Sequence, residues 1–323
     1  MKIVSWQEGQ GIRCGVVVEE DVFAFPDGVT GLSLAQAGLT RTLQLGRAAV
    51  ESTEPRKLAG LRLLPPIASP SVRDFVAFEE HVEGVVKNAG QGASVPPEWY
   101  AAPTFYFANP HTLYPTAAPI APPSGSTVLD FELEVAAIVG AVDGSDGRSI
   151  PTDEAAEHLF GFTVMNDWSA RDLQYPEMKV NLGPCKGKDF ATTIGPWIVT
   201  ADEFAGRFDD EGFLPLTMSV SINGVEFGRD RLSNMGWPFA ELVAYASRSS
   251  RVVPGDLLGS GTAGSGCLAE IWGRRGEQSP SPLRAGDVVT MTVEGIGSIT
   301  NEIVEAQVLP PVARARIRPD RGR

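Results

Sequence analysis

Three observations predict an α+β fold that is rich in β-strands. Glycine (35) and proline (25) are frequent in the 323 residues, which favours a chain with many turns. Alternating apolar and polar runs are typical of strands, and the clearest pair, in PLTMSVSINGVEFGRD, is joined by Asn223-Gly224, a signature of a type I′ hairpin. Helical patterns are few, which indicates α+β rather than alternating α/β architecture.

The elements divide the chain into a small N-terminal α+β domain at 1–68, a large β-rich domain at 69–312 and a basic, flexible tail at 313–323. In the first domain, KIVSW and GIRCGVVVEEDVFAF predict strands with a turn near 19–21. A helical stretch follows over 32–52. The proline-rich segment LLPPIASPSV then favours a crossing into the second domain.

The second domain alternates extended and short helical segments. Few charges and many prolines predict an extended, ordered loop over 104–126. The other expected elements are a strand at 128–140, a short helix at 153–161 capped by Thr152 or Asp153, a strand at 161–167, a helix after it with Ser169 as a possible N-cap, an amphipathic helix at 238–248 and two closing strands at 287–306.

Charge and composition exclude several classes of partner. A net charge of −13 argues against a nucleic acid, and no apolar run is long enough for a membrane span. The start MKIVSWQEGQ lacks the apolar region of a signal peptide, so we expect a cytoplasmic protein. Three widely spaced cysteines without a CxxC pair argue against disulfides and structural zinc. Each is expected to pack in the core, and the alternative is a reactive thiol.

Catalysis by a serine triad or by a histidine-rich zinc site is hard to build from this composition. The chain has only three histidines, His81, His111 and His158, and no G-x-S-x-G motif. If a base is needed near neutral pH, His81 in RDFVAFEEHVEG has the most polar surroundings. The alternative is a surface histidine.

Glu132 and Glu134 in LDFELEVAAIVG are two residues apart, so on a strand they point to one face, which Asp130 shares. Carboxylates that share a face repel each other unless a cation lies between them. The strongly apolar flanks favour burial and therefore a metal site. The alternative is a solvated face of an antiparallel sheet.

Two further segments could bind a ligand. In MNDWSARDLQ, Asp167 ends a strand and Arg171 and Gln174 share a helical face, which suits an anionic or carbonyl ligand or, alternatively, a capped helix with an Asp–Arg pair. GSGTAGSGC at 259–267 matches G-x-G-x-x-G, but no clear helix follows it and a βαβ context is missing. A glycine-rich loop that offers backbone N–H groups and the Thr262 hydroxyl fits better.

Together these segments resemble the fumarylacetoacetate hydrolase family. LDFELE, NDWSARDLQ, GPCKGKDFATTIGPW, GSGT and a later glutamate occur in the order of that family, between about residues 70 and 306. The resemblance implies a catalytic domain of mixed β-roll or sandwich type. It also implies a small keto-acid or diketone substrate and, commonly, a homodimer.

The resemblance implies a role for each matching residue. The metal ligands would be Glu132, Glu134 and Asp167, and Asp74 lies seven residues before His81, as in the family's hydrolases. His81 would pair with Glu270 to activate water. Substrate and developing charge would be bound by Arg171, Gln174, Lys188 and Thr262. All-oxygen ligands suit Mg²⁺, or Mn²⁺ or Ca²⁺, rather than zinc.

Three positions depart from the family pattern. Val76 replaces a substrate-contacting tyrosine of the hydrolases, and Asn109 replaces a lysine of smaller acylpyruvase-like members. Gly84 lies three residues after His81, where acylpyruvase-like and decarboxylase-like members have a catalytic glutamate. The glycine argues against decarboxylase chemistry, and Glu270 argues for the hydrolase dyad.

We therefore expect a divalent-metal-dependent hydrolase that cleaves a C–C bond in a β-diketone or acylpyruvate-type acid. One alternative is an isomerase, hydratase or decarboxylase that acts on a 2-keto acid through a metal enolate. Another is a non-catalytic binding protein with a purely structural metal. Retention of Lys188, Arg171, Gln174 and His81 weighs against the last, because a structural site needs none of them.

Overall fold

The computed structural model describes residues 1–88 and 94–316 of the chain. Its strands are β1 (Lys2–Glu8), β2 (Gly11–Val18), β3 (Asp21–Ala24), β4 (Arg56–Lys57), β5 (Leu63–Leu64), β6 (Val72–Phe75), β7 (Phe105–Ala108), β8 (Leu113–Tyr114), β9 (Leu129–Asp130), β10 (Leu133–Val139), β11 (Leu159–Asp167), β12 (Ser169–Ala170), β13 (Thr192–Thr200), β14 (Thr217–Ile222), β15 (Val225–Arg231), β16 (Leu257–Gly259), β17 (Val288–Val293) and β18 (Gly297–Glu302). Its α-helices are α1 (Gly31–Ala37), α2 (Leu39–Ser52), α3 (Glu79–Asn88), α4 (Arg171–Met178), α5 (Phe239–Ser247) and α6 (Leu268–Arg275).

One mixed sheet of twelve strands organises the molecule. Its main path runs β4-β3-β2-β1-β13-β11-β10-β16-β6-β7, with β5 beside β1 and β8 beside β13. A four-stranded sheet, β15-β14-β17-β18, and the pair β12-β9 complete the strand pairing of the described residues. The prediction of a β-rich α+β fold is confirmed.

The N-terminal strands extend the same sheet that carries the rest of the chain, because β1 pairs with β13. The division at residue 68 stays a prediction. Of the tail expected at 313–323, residues 317–323 lie outside the described residues. In the part of the chain that is described, no helix combines the length and the apolar character that a membrane crossing requires.

The hairpin at Asn223-Gly224 is confirmed. Strands β14 and β15 flank the two residues, whose φ angles of 52° and 78° are both positive, as a type I′ turn requires. The predicted turn near 19–21 also joins two strands, β2 and β3.

The helical stretch predicted over 32–52 is two helices, α1 and α2. Gly38 separates them with a φ of 80°, a left-handed conformation that interrupts helical hydrogen bonding. Thr30 begins α1 with a capping box, since its side chain accepts from the Ser33 backbone N–H while Ser33 accepts from the Thr30 backbone N–H.

Two predicted helix caps were wrong. The only helix in the segment at 153–161 is a 3-10 helix, Ala155–His158. Its N-cap residue is Glu154, and no side chain caps it, so neither Thr152 nor Asp153 is the N-cap. Helix α4 begins after Ala170, and the Ser169 hydroxyl donates instead to the carbonyl of Asp167. Ser169 and Ala170 pair with β9 as strand β12, so the helix begins after them.

The loop predicted over 104–126 contains two short strands. β7 pairs with β6 over four residue pairs and β8 pairs with β13, because prolines at the ends of these runs leave the apolar residues between them free to pair. The segment is thus extended over these residues, as predicted, but parts of it belong to the sheet rather than to a loop, and Pro110–Thr112 forms a 3-10 helix.

Strands β10 and β11 lie at the centre of the sheet and every residue in them is buried. Polar side chains on these strands must therefore find partners inside the protein. The cysteines are free: Cys14 and Cys267 are buried as expected, whereas Cys185 is exposed, so the prediction was wrong for that residue.

Candidate active site and metal centre

Four carboxylates converge from neighbouring strands of the large sheet. Glu134 lies on β10, Asp167 ends β11, Asp74 lies on β6, and Glu132 immediately precedes β10. Exposure is at most 4% for each of the four residues. The sheet order explains the convergence, because β16 alone separates β10 from β6 and its Gly259 pairs with Asp74.

Three carboxylate oxygens in this cluster are buried without a hydrogen-bond partner among the described residues: Asp74 Oδ1, Glu134 Oε2 and Asp167 Oδ1. One oxygen from each of Asp74, Glu132 and Asp167 also lies within 4.8 Å of the others. A buried, unpaired carboxylate is costly unless a cation compensates for it. The residues present therefore fit a hard divalent cation with oxygen ligands.

The pKa values reflect this crowding. Burial and the neighbouring charge of Asp167 raise the pKa of Asp74, and burial and Asp74 raise that of Glu134. Burial also raises the pKa of Asp167, although Lys188 opposes it. At Glu132 burial acts in the same direction, but Lys188 and Arg171 outweigh it and lower the pKa. Without a metal the cluster therefore favours protons on Asp74 and Glu134.

Lys188 is buried inside the cluster, where its ammonium contacts Glu132 Oε2 and Asp167 Oδ2. Burial lowers the pKa of Lys188, but the two carboxylates raise it by a larger amount. The pKa is therefore above its ordinary value, and the ammonium stays charged. Two of its three N–H donors are directed at the carboxylates. The third can serve a ligand in the cavity.

Four of the five N–H donors of Arg171 bind protein groups, including Nε, which donates to Asp130 Oδ2 at 2.9 Å. Its Nη2 donates to Asp130 Oδ2 and Glu132 Oε1, both at 2.8 Å, and its Nη1 donates to Gln174 Oε1 at 3.0 Å. The predicted pairing of Arg171 and Gln174 on one helical face is confirmed. The guanidinium therefore holds Glu132 and Gln174 in position.

Asp130 lies near Glu132, as predicted, since both carboxylates accept from Arg171 Nη2 at 2.8 Å, but it is not in the group of Asp74, Glu132 and Asp167. The strand is interrupted between β9, which ends at Asp130, and β10, which begins at Leu133. Asp130 instead accepts hydrogen bonds from the backbone N–H groups of Leu268 (2.7 Å) and Ala269 (2.9 Å) at the start of α6. A carboxylate is favourable there because the first turn of a helix has unpaired N–H groups.

His81 and Glu270, far apart in sequence, face each other in the interior. The His81 Nδ1 lies 3.8 Å from Glu270 Oε2 and 3.6 Å from Cys267 Sγ, and its Nε2 lies 3.9 Å from Glu132 Oε1. Gly84 packs against Glu270, and a Cβ at position 84 would lie 3.1 Å from the Glu270 Cα and overlap its Cγ. The glycine therefore leaves the space that Glu270 fills.

The glycine-rich segment at 259–267 is followed by a helix, so the expectation that none follows was wrong. Helix α6 begins directly after Cys267 and carries Glu270. Within the segment, the Thr262 hydroxyl donates to Glu134 Oε1 at 3.4 Å. The segment thus connects the carboxylate cluster with the helix that holds Glu270.

A cavity of about 330 Å³ opens beside these groups. Its polar lining contains all the predicted site residues except Asp167 and Glu270: Asp74, His81, Glu132, Glu134, Arg171, Gln174, Lys188 and Thr262. Val76 also lines the cavity. Asn109 instead caps a 3-10 helix and donates to the carbonyl of Asp189 at 3.2 Å.

Sequence reasoning missed Tyr106, whose hydroxyl donates to Asp167 Oδ2 at the cavity wall. Burial and the neighbouring Asp167 raise the pKa of this phenol, so it remains a donor. The residue stood in a segment expected to be loop. Alternation in FYFA, with Tyr106 on the face opposite Phe105 and Phe107, was the available signal.

Comparison with known proteins agrees with this architecture. The family model described as fumarylacetoacetate hydrolase, C-terminal, matches residues 71–304. A fumarylacetoacetase of Arabidopsis thaliana is 31% identical over 260 residues, which cover 67% of this chain and 61% of that protein. The chain thus spans about three fifths of that relative's length.

Solved structures share the fold. A fumarylacetoacetate hydrolase from Exiguobacterium antarcticum has a TM-score of 0.72 at 24% identity, covering 95% of this chain and 100% of that one. A maleylpyruvate hydrolase from Sphingobium sp. SYK-6, solved with manganese(II) and pyruvate, has a TM-score of 0.69 at 19% identity and the same coverage. Residues 71–304, which the family model matches, contain every carboxylate of the cluster. The chain therefore belongs to the fumarylacetoacetate hydrolase family.

Proposed function

We propose that the protein is a divalent-metal-dependent hydrolase that cleaves a C–C bond in a β-diketone or acylpyruvate-type acid. The observation that carries the proposal is the set of buried, unpaired carboxylate oxygens beside a cavity that His81 also lines. Asp74, Glu132, Glu134 and Asp167 would hold Mg²⁺, Mn²⁺ or Ca²⁺. When bound, such a cation polarises carbonyl oxygens and stabilises an enolate.

His81 is the proposed general base. Its Nε2 lies 3.9 Å from Glu132 Oε1, and both residues line the cavity. In the proposed reaction Nε2 accepts a proton from water as the water attacks the substrate carbonyl. Glu270, buried beside Nδ1, stabilises the resulting imidazolium. General-base catalysis supplies roughly 10²–10⁴-fold, so charge stabilisation must supply the larger share of the rate.

Lys188 and Gln174 are the proposed binders of developing negative charge. Lys188 retains one N–H donor for an oxyanion, while Arg171 fixes the Gln174 carbonyl and so directs the amide N–H₂ away from the guanidinium. Arg171 acts through Glu132 and Gln174, as a positioning residue. Arg171 also lines the cavity and has a fifth N–H donor, so we keep its proposed role in binding the substrate beside this positioning role.

The remaining cavity wall supports a substrate with an apolar substituent. It is formed largely by apolar side chains: Phe75, Val76, Val85, Phe105, Met178 and Pro184. A wall that combines polar and apolar side chains suits a dicarbonyl head with a carbon tail. Val76, in place of a phenol, makes the tail region less polar.

The test is turnover of a panel of β-diketones and acylpyruvates by the Mn²⁺-loaded protein in ¹⁸O-labelled water. Hydrolysis puts solvent oxygen into a new carboxylate, whereas isomerisation or decarboxylation does not. Glu132→Ala should abolish Mn²⁺ binding and turnover together, while Glu226→Ala, an exposed glutamate, should change neither. Full activity of Glu132→Ala would refute the metal role, and turnover without ¹⁸O incorporation would refute hydrolysis.

A further inference from the structure

A second group of metal-binding atoms lies behind the carboxylate cluster. It comprises His81 Nδ1, Cys267 Sγ and Glu270 Oε2, which lie within 4.8 Å of one another. All three residues are buried, Cys267 and Glu270 completely. The sequence could not reveal this group, because the three residues come from α3, the end of the glycine-rich segment and α6, and no metal-binding spacing links them.

The distances match those of a tetrahedral zinc site. Bond lengths of about 2.3 Å for Zn–S and about 2.0–2.1 Å for Zn–N or Zn–O place the S and N ligands about 3.6 Å apart and the N and O ligands about 3.4 Å apart. Here Cys267 Sγ lies 3.6 Å and Glu270 Oε2 lies 3.8 Å from His81 Nδ1. Both distances to Nδ1 are therefore within about 0.4 Å of the tetrahedral values, and the Cys267 and Glu270 ligand atoms lie within 4.8 Å of each other.

The donor set differs in kind from the carboxylate cluster. A thiolate and an imidazole favour Zn²⁺ or Co²⁺, whereas Mg²⁺ prefers oxygen. Asp130 and Glu132 also face Cys267 electrostatically and favour a cation there, although Arg171 opposes them. Three protein ligands with a free fourth position are sufficient to bind zinc.

A partly exposed arginine of α6 lies between this group and the solvent. Arg274, 34% exposed, contacts both Glu270 and Glu80, so the group lies one side chain below solvent. Burial raises the pKa of the Cys267 thiol, and an entering cation must therefore displace its proton to the solvent.

We propose that His81, Cys267 and Glu270 form an inhibitory site for a thiophilic divalent cation, separate from the carboxylate cluster. The Cys267 S–H bond breaks, its proton leaves to solvent, and the sulfur, Nδ1 and Oε2 bind the cation without any redox change. A neutral imidazole bound through Nδ1 carries its proton on Nε2. His81 then cannot accept a proton from water, and turnover stops.

The experiment titrates Co²⁺ into protein saturated with Mg²⁺ and follows the near-ultraviolet charge-transfer band that a thiolate–cobalt bond produces. We expect one band-forming Co²⁺ per chain and displacement of it by Zn²⁺. Cys267→Ser should abolish the band and weaken binding roughly tenfold or more. The matched control Cys185→Ser removes the exposed thiol and should leave the band intact.

A wild-type protein without the band, or a band that survives in Cys267→Ser, would overturn the proposal. Should Cys267→Ser fail to fold by circular dichroism, Glu270→Gln keeps the thiol and should weaken Co²⁺ binding by a similar factor. The band requires no substrate, so it tests the site even if the proposed hydrolysis is wrong. The inhibition rests on the proposed function, and Zn²⁺ that binds without slowing turnover would refute that part.

Discussion

Replacing Gly259 by alanine tests the carboxylate cluster without removing a ligand. The glycine lies on β16, where Asp74 on β6 and Ala136 on β10 are its pairing partners. A Cβ there would overlap Asp74 Oδ1, lie 2.6 Å from the Met165 Cε and lie 3.1 Å from Glu134 Oε2. The φ angle of Gly259 is not in the left-handed region, so the substitution acts through space alone.

The magnitude follows from these contacts. The flexible end of Met165 can rotate away, but Asp74 Oδ1 must withdraw by roughly 1 Å to restore van der Waals separation. Metal–ligand distances tolerate only about 0.2 Å, so Mn²⁺ affinity should fall about 10–100-fold, or about 1.4–2.7 kcal/mol. Overpacking should cost the metal-free fold a further ~1–3 kcal/mol.

Isothermal titration calorimetry measures the affinity, and urea unfolding measures the stability. Gly11→Ala is the matched control, because a Cβ at that strand position meets only the Glu8 carbonyl oxygen at 3.6 Å. It should leave both quantities unchanged. If Gly259→Ala bound Mn²⁺ within twofold of the wild type, the idea that Asp74 and Glu134 jointly bind the metal beside Gly259 would be refuted.

Three further predictions follow from the buried charges and thiols. Lys188→Met leaves the buried Asp167 without a cationic partner and Glu132 with Arg171 alone, so the metal-free protein should lose about 3–5 kcal/mol in urea unfolding and regain part of it with Mn²⁺. Because burial raises the pKa of Asp74 and Glu134, their contribution to stability is present below the ordinary carboxyl values of 3.8 and 4.5 and is lost as pH rises through the folded pKa. Stabilisation by Mn²⁺, measured as the metal-induced increase in Tm, should therefore grow with pH, and binding should release protons in calorimetry across buffers of different ionisation enthalpy. A metal-induced increase in Tm that stays constant with pH would contradict this. With an aromatic disulfide reagent at pH 8, Cys185 should react in the native protein. Cys14, whose pKa burial raises to about 12, should react only after unfolding, and equal reaction of both thiols in the native state would contradict the fold.

Local patterns predicted the parts of the fold that depend on neighbouring residues. Asn223-Gly224 determines its own turn because both residues tolerate positive φ, and the spacing of Arg171 and Gln174 determines their hydrogen bond on α4. Glu132 and Glu134 were recognised because apolar flanks indicated burial. These inferences needed only the period of a strand or a helix.

Long-range contacts explain what the patterns could not predict. The hydrogen bonds of Asp130 to the first residues of α6 could not be predicted, because those residues lie 138 and 139 positions away in the sequence. Tyr106 was missed because its contact with Asp167 depends on the sheet order, which no local pattern encodes. The homodimer and the cytoplasmic location stay predictions.

The packing of Gly84 against Glu270 has a consequence for how such enzymes can diverge. The space beside His81 holds one carboxylate, and it can be supplied from α3 or from α6 but not from both, since a Cβ at position 84 already overlaps the Glu270 side chain. A mutational route that brings a glutamate to position 84 must first shorten residue 270. A carboxylate beside His81 from α3 and one from α6 are therefore mutually exclusive in this backbone, and exchanging one for the other requires two coordinated substitutions.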